Sequence, residues 1–137
     1  MTPPDHPLPL GTILPDRPFP SVDMAMVRRY AAASGDDNPI HVDAAAARSI
    51  GLADPIVQGM LLMGLADTAL GGWLPDATCA KLSTRFALPV PVGAAVTVSG
   101  RVVRADHADG RARATLRIFI KDEAGKAVAL AEAVVLF

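Results

Sequence analysis

The repeat of polar and apolar positions changes about halfway along the chain. Between residues 21 and 70 the apolar residues recur at helical spacing, whereas beyond residue 80 they fall in strand-like segments. Polar and apolar residues alternate most clearly from Arg111 to Ile118. The pattern predicts helices first and a strand meander second, which is an α+β fold class.

The first predicted helix follows a proline-rich arm. For residues 1–20 we expect a loosely ordered segment with one short strand around Thr12 to Leu14. Ser21 can cap the helix, and the carboxylate of Asp23 suits its first turn. Gly35 can adopt the left-handed conformation that stops a helix, so the helix should end near Ser34-Gly35.

A compact loop and a short helix come next. Asn38 is held in an extended conformation by Pro39, so residues 36–42 are predicted to form a loop without regular structure. Asp43 is placed to cap an alanine-rich helix from Ala44 to Ile50, which a glycine then stops.

A third helix is predicted from Gly59 to Leu70. It is apolar around most of its circumference, so it should be buried rather than lie on a surface. The Gly71-Gly72 pair is expected to end it.

Four strand-like segments fill the second half, with turn signals at Asp109-Gly110 and Ala124-Gly125 that make the sheet largely antiparallel. The economical arrangement curls this sheet around the apolar helix. One sheet around one helix leaves a sheet edge uncovered, which favours a dimer. The predicted strands are Lys81 to Leu88, Ala94 to Arg104, Arg111 to Lys121 and Ala127 to Phe137.

Composition narrows the class of protein. With 137 residues, 51% hydrophobic and 20% charged, the chain is expected to be one globular domain over residues 1–137. A net charge of -1 argues against nucleic-acid binding. The apolar stretches are too short for a membrane span, and the N-terminus lacks the pattern of a signal peptide. Cys79 is the single cysteine, which fits a reducing compartment, so we expect a cytoplasmic protein.

The residues best suited to chemistry are Asp36 and His41. They lie five positions apart across the loop that contains Pro39, so both side chains can turn toward one point. A carboxylate beside an imidazole can hold and polarise a water molecule near neutral pH. On residue types alone, the plainer interpretation is that Asp36 braces the turn. The three histidines are scattered, so we expect no metal site: His6, His41 and His107.

The sequence around this loop resembles a known family. The run from Tyr30 to Asp43, with Gly51 and the segment from Ile56 to Gly64, is similar to the hydratase motif of the MaoC-like dehydratase family. The segment from Arg85 to Gly93 resembles the pattern with which that family begins a strand. The resemblance covers most of residues 20–104. It implies a hot-dog fold, in which an antiparallel sheet wraps a long central helix and dimers form through sheet edges.

The resemblance also implies an activity. It is the (R)-specific hydration of enoyl thioesters and the reverse dehydration of 3-hydroxyacyl thioesters, carried by coenzyme A or acyl carrier protein. Asp36 and His41 would bind the catalytic water, with Asn38 as a supporting loop residue. Gly59, at the start of the buried helix, would stabilise the oxyanion. A thioester already acidifies the neighbouring carbon, so no cofactor is implied.

Two residues depart from the family pattern. Gln58 stands where many members have histidine, which leaves the local hydrogen bonding open although we keep Gln58 as a supporting residue. Asp67 interrupts the apolar helix, either at a wet edge or, with Met60 and Met63, along the acyl pocket.

Other functions stay open at this point. The chain could be a non-catalytic or partner-dependent hot-dog subunit of a heteromeric dehydratase, although the presence of both Asp36 and His41 argues against a silent role. A hot-dog thioesterase ranks third. A homodimer is expected, and a heterodimer is the alternative; chain length and thioester carrier are not determined.

Overall fold

A computed structural model describes residues 2–137. These residues form three α-helices and five β-strands, and the α+β class is confirmed. In chain order the elements are β1 (Ile13–Phe19), α1 (Met24–Ser34), α2 (Ala44–Ser49), α3 (Gly59–Trp73), β2 (Thr78–Phe86), β3 (Val96–Ala108), β4 (Arg111–Lys121) and β5 (Ala127–Leu136).

The strands make one antiparallel sheet in the order β1-β3-β4-β5-β2. The tight turn from β3 to β4 lies at the predicted Asp109-Gly110, where both residues have positive φ values of 51° and 75°. Side chains alternate between two faces. On β4, Ile118 and Ile120 are fully buried on the inner face, whereas Arg117 is exposed on the outer face.

Helix α3 packs on the inner face and contacts all five strands. It is the buried apolar helix that the sequence predicts, with its core side chains on Leu61, Leu62, Leu65, Ala66, Ala69 and Leu70.

The predicted end of α3 at Gly71-Gly72 is wrong, because the helix continues to Trp73. The Trp73 ring lies so close to Gly100 of β3 that a Cβ atom there would be 2.8 Å from it. The indole N–H of Trp73 also donates to the Pro15 carbonyl at 2.7 Å. These contacts to β3 and β1 hold the last turn in helical conformation, which two glycines alone would not favour.

Helix α1 begins later than predicted. Asp23 is the cap instead of Ser21, and its carboxylate accepts a hydrogen bond of 2.9 Å from an amide in the first turn. The reason is Val22, whose backbone bonds to residues 93–94 in an extended conformation and so cannot join the helix. The predicted stop at Gly35 is confirmed, with φ at 77°.

The N-terminal arm lies against the sheet instead of being loose. Its strand spans Ile13–Phe19, longer than the predicted Thr12 to Leu14, because it pairs with β3. Ahead of it, the buried His6 ring donates through Nε2 to the Arg113 carbonyl at 2.8 Å and accepts at Nδ1 from the Leu8 amide at 3.0 Å.

The remaining differences from prediction concern the bounds of the elements and are small. Strand β2 starts at Thr78 because its first residues pair with β5, and β3 extends to Ala108 because it pairs with β4 up to the turn. The loop after α1 contains one 3-10 turn, Pro39–His41. The predicted cap of α2 is confirmed, since the Asp43 carboxylate accepts from two helix amides. Across residues 2–137, no helix is long and apolar enough to cross a bilayer.

Candidate active site

The loop that follows α1 is braced by its own polar side chains. The Asp36 amide donates to the Ser34 hydroxyl at 3.2 Å, and Oδ1 of Asp36 accepts from the Asn38 amide at 3.3 Å. Asn38 in turn accepts from the Ile40 amide at 3.2 Å and so caps the 3-10 turn. These bonds use Oδ1 of Asp36 and leave Oδ2 to face His41.

His41 lies at the end of that turn with only 7% of its surface exposed. Its Nδ1 is 2.7 Å from the Ile56 carbonyl oxygen. Because a carbonyl only accepts hydrogen bonds, Nδ1 must carry the hydrogen, and Nε2 of the neutral ring keeps its lone pair. Nε2 lies 3.5 Å from Oδ2 of Asp36, whose side chain is 40% exposed. The structure therefore brings the two predicted residues together, with Nε2 and Oδ2 facing each other and the aspartate side open to solvent.

Ile56 is a positioning residue that the sequence did not reveal. Its carbonyl fixes the His41 ring, and its amide donates to the Ile40 carbonyl at 3.2 Å. Both contacts use backbone atoms across the fold, so no side-chain pattern could have indicated them. They join the loop to the segment that leads, three residues later, into Gly59.

Gly59 is the first residue of α3, as predicted. The amides of Gly59 and Met60 make no hydrogen bond to any other part of residues 2–137. Free amides at a helix N-terminus can donate hydrogen bonds to a negatively charged atom, and the helix dipole adds to their effect. The Phe86 ring covers this glycine, since a Cβ atom there would lie 3.2 Å from the ring.

A pocket of about 310 Å³ opens beside this helix start. Its lining is almost entirely apolar, and Phe86 is a further residue to which the sequence assigned no role. We call it the Gly59 pocket, and it is lined by Ile56, Val57, Gly59, Leu62, Phe86, Ala87, Leu88, Pro89 and Val90.

Gln58 is 1% exposed, and its amide nitrogen donates to the Val27 carbonyl at 3.0 Å. Within the described chain, its side-chain oxygen has no hydrogen-bond partner. Gln58 therefore ties the start of α3 to α1 and makes no hydrogen bond to Asp36 or His41.

The three predicted acyl-pocket residues do not line the Gly59 pocket. Met60 is 55% exposed, and Met63 is half-buried. Asp67 is exposed and borders a smaller pocket of about 170 Å³ near Cys79. Partial burial, and secondarily the charge of Asp67, raise the pKa of the Cys79 thiol. The role of Met60, Met63 and Asp67 in binding an acyl chain stays a prediction.

The donor atoms at the site are a carboxylate, an imidazole and backbone amides. In the described part of the chain, no three His, Cys, Asp or Glu side chains gather as a metal-binding group. The chemistry these groups can perform themselves is proton transfer at a water molecule and stabilisation of an oxyanion.

Comparison with known proteins gives three concordant findings. The model of the MaoC-like domain family matches residues 10–120. The (R)-specific enoyl-CoA hydratase of Aeromonas caviae is 40% identical over 113 residues, which is 81% of this chain and 83% of that protein. The mitochondrial 3-hydroxyacyl-[acyl-carrier-protein] dehydratase of Arabidopsis thaliana is 33% identical over 87 residues, or 63% of this chain and 51% of that protein.

A solved structure extends the likeness to the fold. The (R)-hydratase from A. caviae involved in PHA biosynthesis superposes with a TM-score of 0.83 at 34% identity, covering 94% of this chain and 96% of that one. The expected hot-dog fold is thereby confirmed.

Proposed function

This chain belongs to the MaoC-like domain family, and from that premise we propose that it catalyses (R)-specific hydration of enoyl thioesters and the reverse dehydration of 3-hydroxyacyl thioesters. The hydro-lyase class follows from relatives named as hydratase and dehydratase. The observation that carries the proposal is the pairing of His41 Nε2 with Asp36 Oδ2 at 3.5 Å.

The pair acts on one water molecule. Both facing atoms are acceptors when the ring is neutral, so a water can donate one O–H to each. During hydration its oxygen bonds to C3 of the enoyl group while the pair takes up one of its protons. The pair then returns a proton to C2, and it ends the cycle as it began. Dehydration is the same path in reverse.

The negative charge that develops on the thioester oxygen needs donors that are already in place. We assign this task to the amide of Gly59, which has no hydrogen-bond partner at the start of α3 and belongs to a residue that lines the Gly59 pocket. A glycine at this position lets the thioester approach the backbone. The loss of one such donor typically costs about 2.7–4 kcal/mol in the barrier.

The substrate is an acyl thioester of coenzyme A or of a carrier protein, as in the names of the relatives. The assembly we propose is a cytoplasmic homodimer. The apolar lining of the Gly59 pocket supports an acyl chain that lies beside α3.

The test is turnover of crotonyl-CoA by Asp36→Asn and His41→Ala. Each should lower kcat by about 10²–10⁴-fold, because a positioned acid–base group contributes that much. Asp37→Asn is the matched control, since Asp37 is adjacent, exposed and makes no side-chain hydrogen bond or ion pair within residues 2–137. Circular dichroism should show the same fold in all three variants.

Wild-type rates in both Asp36→Asn and His41→Ala would contradict the proposal. The partner-dependent alternative makes a different prediction: the wild-type chain, purified alone, would be folded yet inactive. Thiol release from a saturated acyl-CoA would instead favour a thioesterase.

A further inference from the structure

The outer face of the sheet, on the side opposite α3, contains a recess of about 620 Å³. It crosses β2, β3, β4 and β5, so it is separated from the Asp36–His41 site by the sheet itself. We call it the outer recess; its lining residues are Ser83, Thr84, Arg85, Arg101, Arg117, Ile118, Phe119, Leu130, Ala131 and Glu132.

Three arginines line this recess without a carboxylate partner, and one of them, Arg101, lies over the Phe119 ring at 5.8 Å. Arg85, Arg101 and Arg117 are exposed, and none of them has a carboxylate within 4 Å or a side-chain hydrogen bond among residues 2–137. Arg113, by contrast, makes two bonds of 2.8 Å to Asp106 on the neighbouring strand. The recess thus concentrates unpaired positive charge.

The backbone register makes this concentration costly. Arg101 of β3 and Arg117 of β4 are direct cross-strand partners, and like charges placed opposite each other destabilise a sheet. Arg117 also faces Glu132 of β5 in register, but their charged atoms are farther than 4 Å apart. With three arginines and one glutamate, the recess carries a formal charge of +2 (3 − 1). A bound anion would relieve the repulsion.

From this geometry we propose that the outer recess binds small ligands with two or more phosphoryl groups, such as inorganic pyrophosphate or a nucleoside diphosphate. The planar fork of a guanidinium matches phosphate oxygens in pairs, and all three cations are arginines and not lysines. The Ser83 hydroxyl adds a neutral donor. The volume suits a small molecule, whereas an acidic protein would need a broad basic surface. This site is independent of the proposed hydratase function.

The test is calorimetric titration of the full chain with inorganic pyrophosphate and, separately, with ADP. Both should bind the wild type. An Arg101→Gln/Arg117→Gln double variant should weaken binding of each by at least about tenfold, because charge-assisted hydrogen bonds are lost. Glu132→Gln should strengthen binding, because it removes the one opposing charge. Arg48→Gln, which removes an exposed cation of α2, is the matched control and should bind as the wild type does.

Several outcomes would overturn the proposal. Pyrophosphate binding that the double variant leaves unchanged would place the ligand elsewhere, and so would a loss caused by Arg48→Gln. Tighter binding of an oligo-glutamate peptide than of pyrophosphate would assign the recess to an acidic protein. Absence of binding to the wild type, with a lower assembly mass in the double variant, would mean that a second copy of the chain covers the recess.

Discussion

At the scale of single residues, the candidate site depends on hydrogen bonds that leave one atom of each side chain free. Oδ1 of Asp36 accepts a hydrogen bond from its own loop, and Nδ1 of His41 donates one to the Ile56 carbonyl. The remaining atoms, Oδ2 and Nε2, face each other. Asn38 acts one step away, by capping the turn that holds His41.

The proposed oxyanion role of Gly59 can be isolated by Gly59→Pro. Proline lacks the amide hydrogen but is accepted at the first position of a helix, and Gln58 already has the extended conformation that precedes proline, with φ at -58° and ψ at 135°. We expect kcat to fall by about 10²–10³-fold while the helix content is kept.

Gly59→Ala is the control for that substitution. It keeps the amide hydrogen and adds only a methyl group 3.2 Å from the Phe86 ring, which is 45% exposed and able to move. Its loss of kcat should be much smaller. Equal losses in the two variants would show that crowding against Phe86, and not the missing donor, is responsible.

The buried Gln58 offers a second residue-scale prediction. In Gln58→Glu, a buried carboxylate would face the Val27 carbonyl, whereas Gln58→Met keeps the shape without a charge. At pH 7 we expect Gln58→Glu to lower the free energy of unfolding by about 2 kcal/mol or more relative to Gln58→Met.

That difference should depend on pH in one direction. Burial favours the protonated glutamic acid in the folded chain, so the cost grows as the pH rises above about 4.3, where the unfolded chain loses the proton. Urea unfolding at pH 7 and pH 5 measures it, and the gap between the two variants should shrink at pH 5. A gap that is equal at both pH values would contradict the burial argument.

At the scale of elements, the contact between α3 and β3 depends on Gly100. A methyl group there would lie 2.8 Å from the Trp73 ring and would displace the last turn of α3. Gly100→Ala should lower the free energy of unfolding by about 1–3 kcal/mol, as overpacked cores do. Gly71→Ala is the matched control. The residue lies inside α3, and a Cβ atom added there has no neighbouring atom within 4 Å. This substitution should raise the stability by about 0.5–1 kcal/mol in the same urea titration. Equal effects of the two substitutions would exclude the close approach.

The sequence correctly predicted the helix ends, caps and turns that depend on neighbouring residues alone. Gly35, Asp43 and the Asp109-Gly110 turn act within a few residues, and each stops, caps or turns the chain as expected. The errors come from contacts that are distant in sequence. Ser21 does not cap α1, because the backbone of Val22 is hydrogen-bonded to residues 93–94.

The candidate site divides in the same way. Asp36 and His41 could be predicted because they share one loop and one motif, and Gly59 because it begins an apolar helix. The Ile56 carbonyl and the Phe86 ring could not, since only the tertiary fold places them against His41 and Gly59.

At the scale of the whole molecule, the sheet has two unlike edges. β1 contains Pro15 and Pro18, which cannot donate backbone hydrogen bonds, whereas β2 has no proline. An unblocked edge is a template for a second strand. We therefore expect the proposed dimer to form through β2.

Two measurements check this expectation. Light scattering should give twice the 14.2 kDa mass of the chain. In a Cys79→Ser background, Ser83→Cys on β2 should cross-link to a second copy with a short bis-maleimide, whereas Asp16→Cys on β1 should not. A monomer, or cross-linking through position 16 alone, would contradict a β2 interface.

The two backbone bonds of Ile56 have a practical consequence. Ile56 bonds to the loop of His41 and stands three positions before Gly59, so movement of that loop away from the start of α3 should break the bond from the Ile56 amide to the Ile40 carbonyl. Its hydrogen–deuterium exchange therefore reports local opening of the site in the resting protein, with no substrate present. The exchange rate of a single amide thus measures how often the loop of the candidate site undocks.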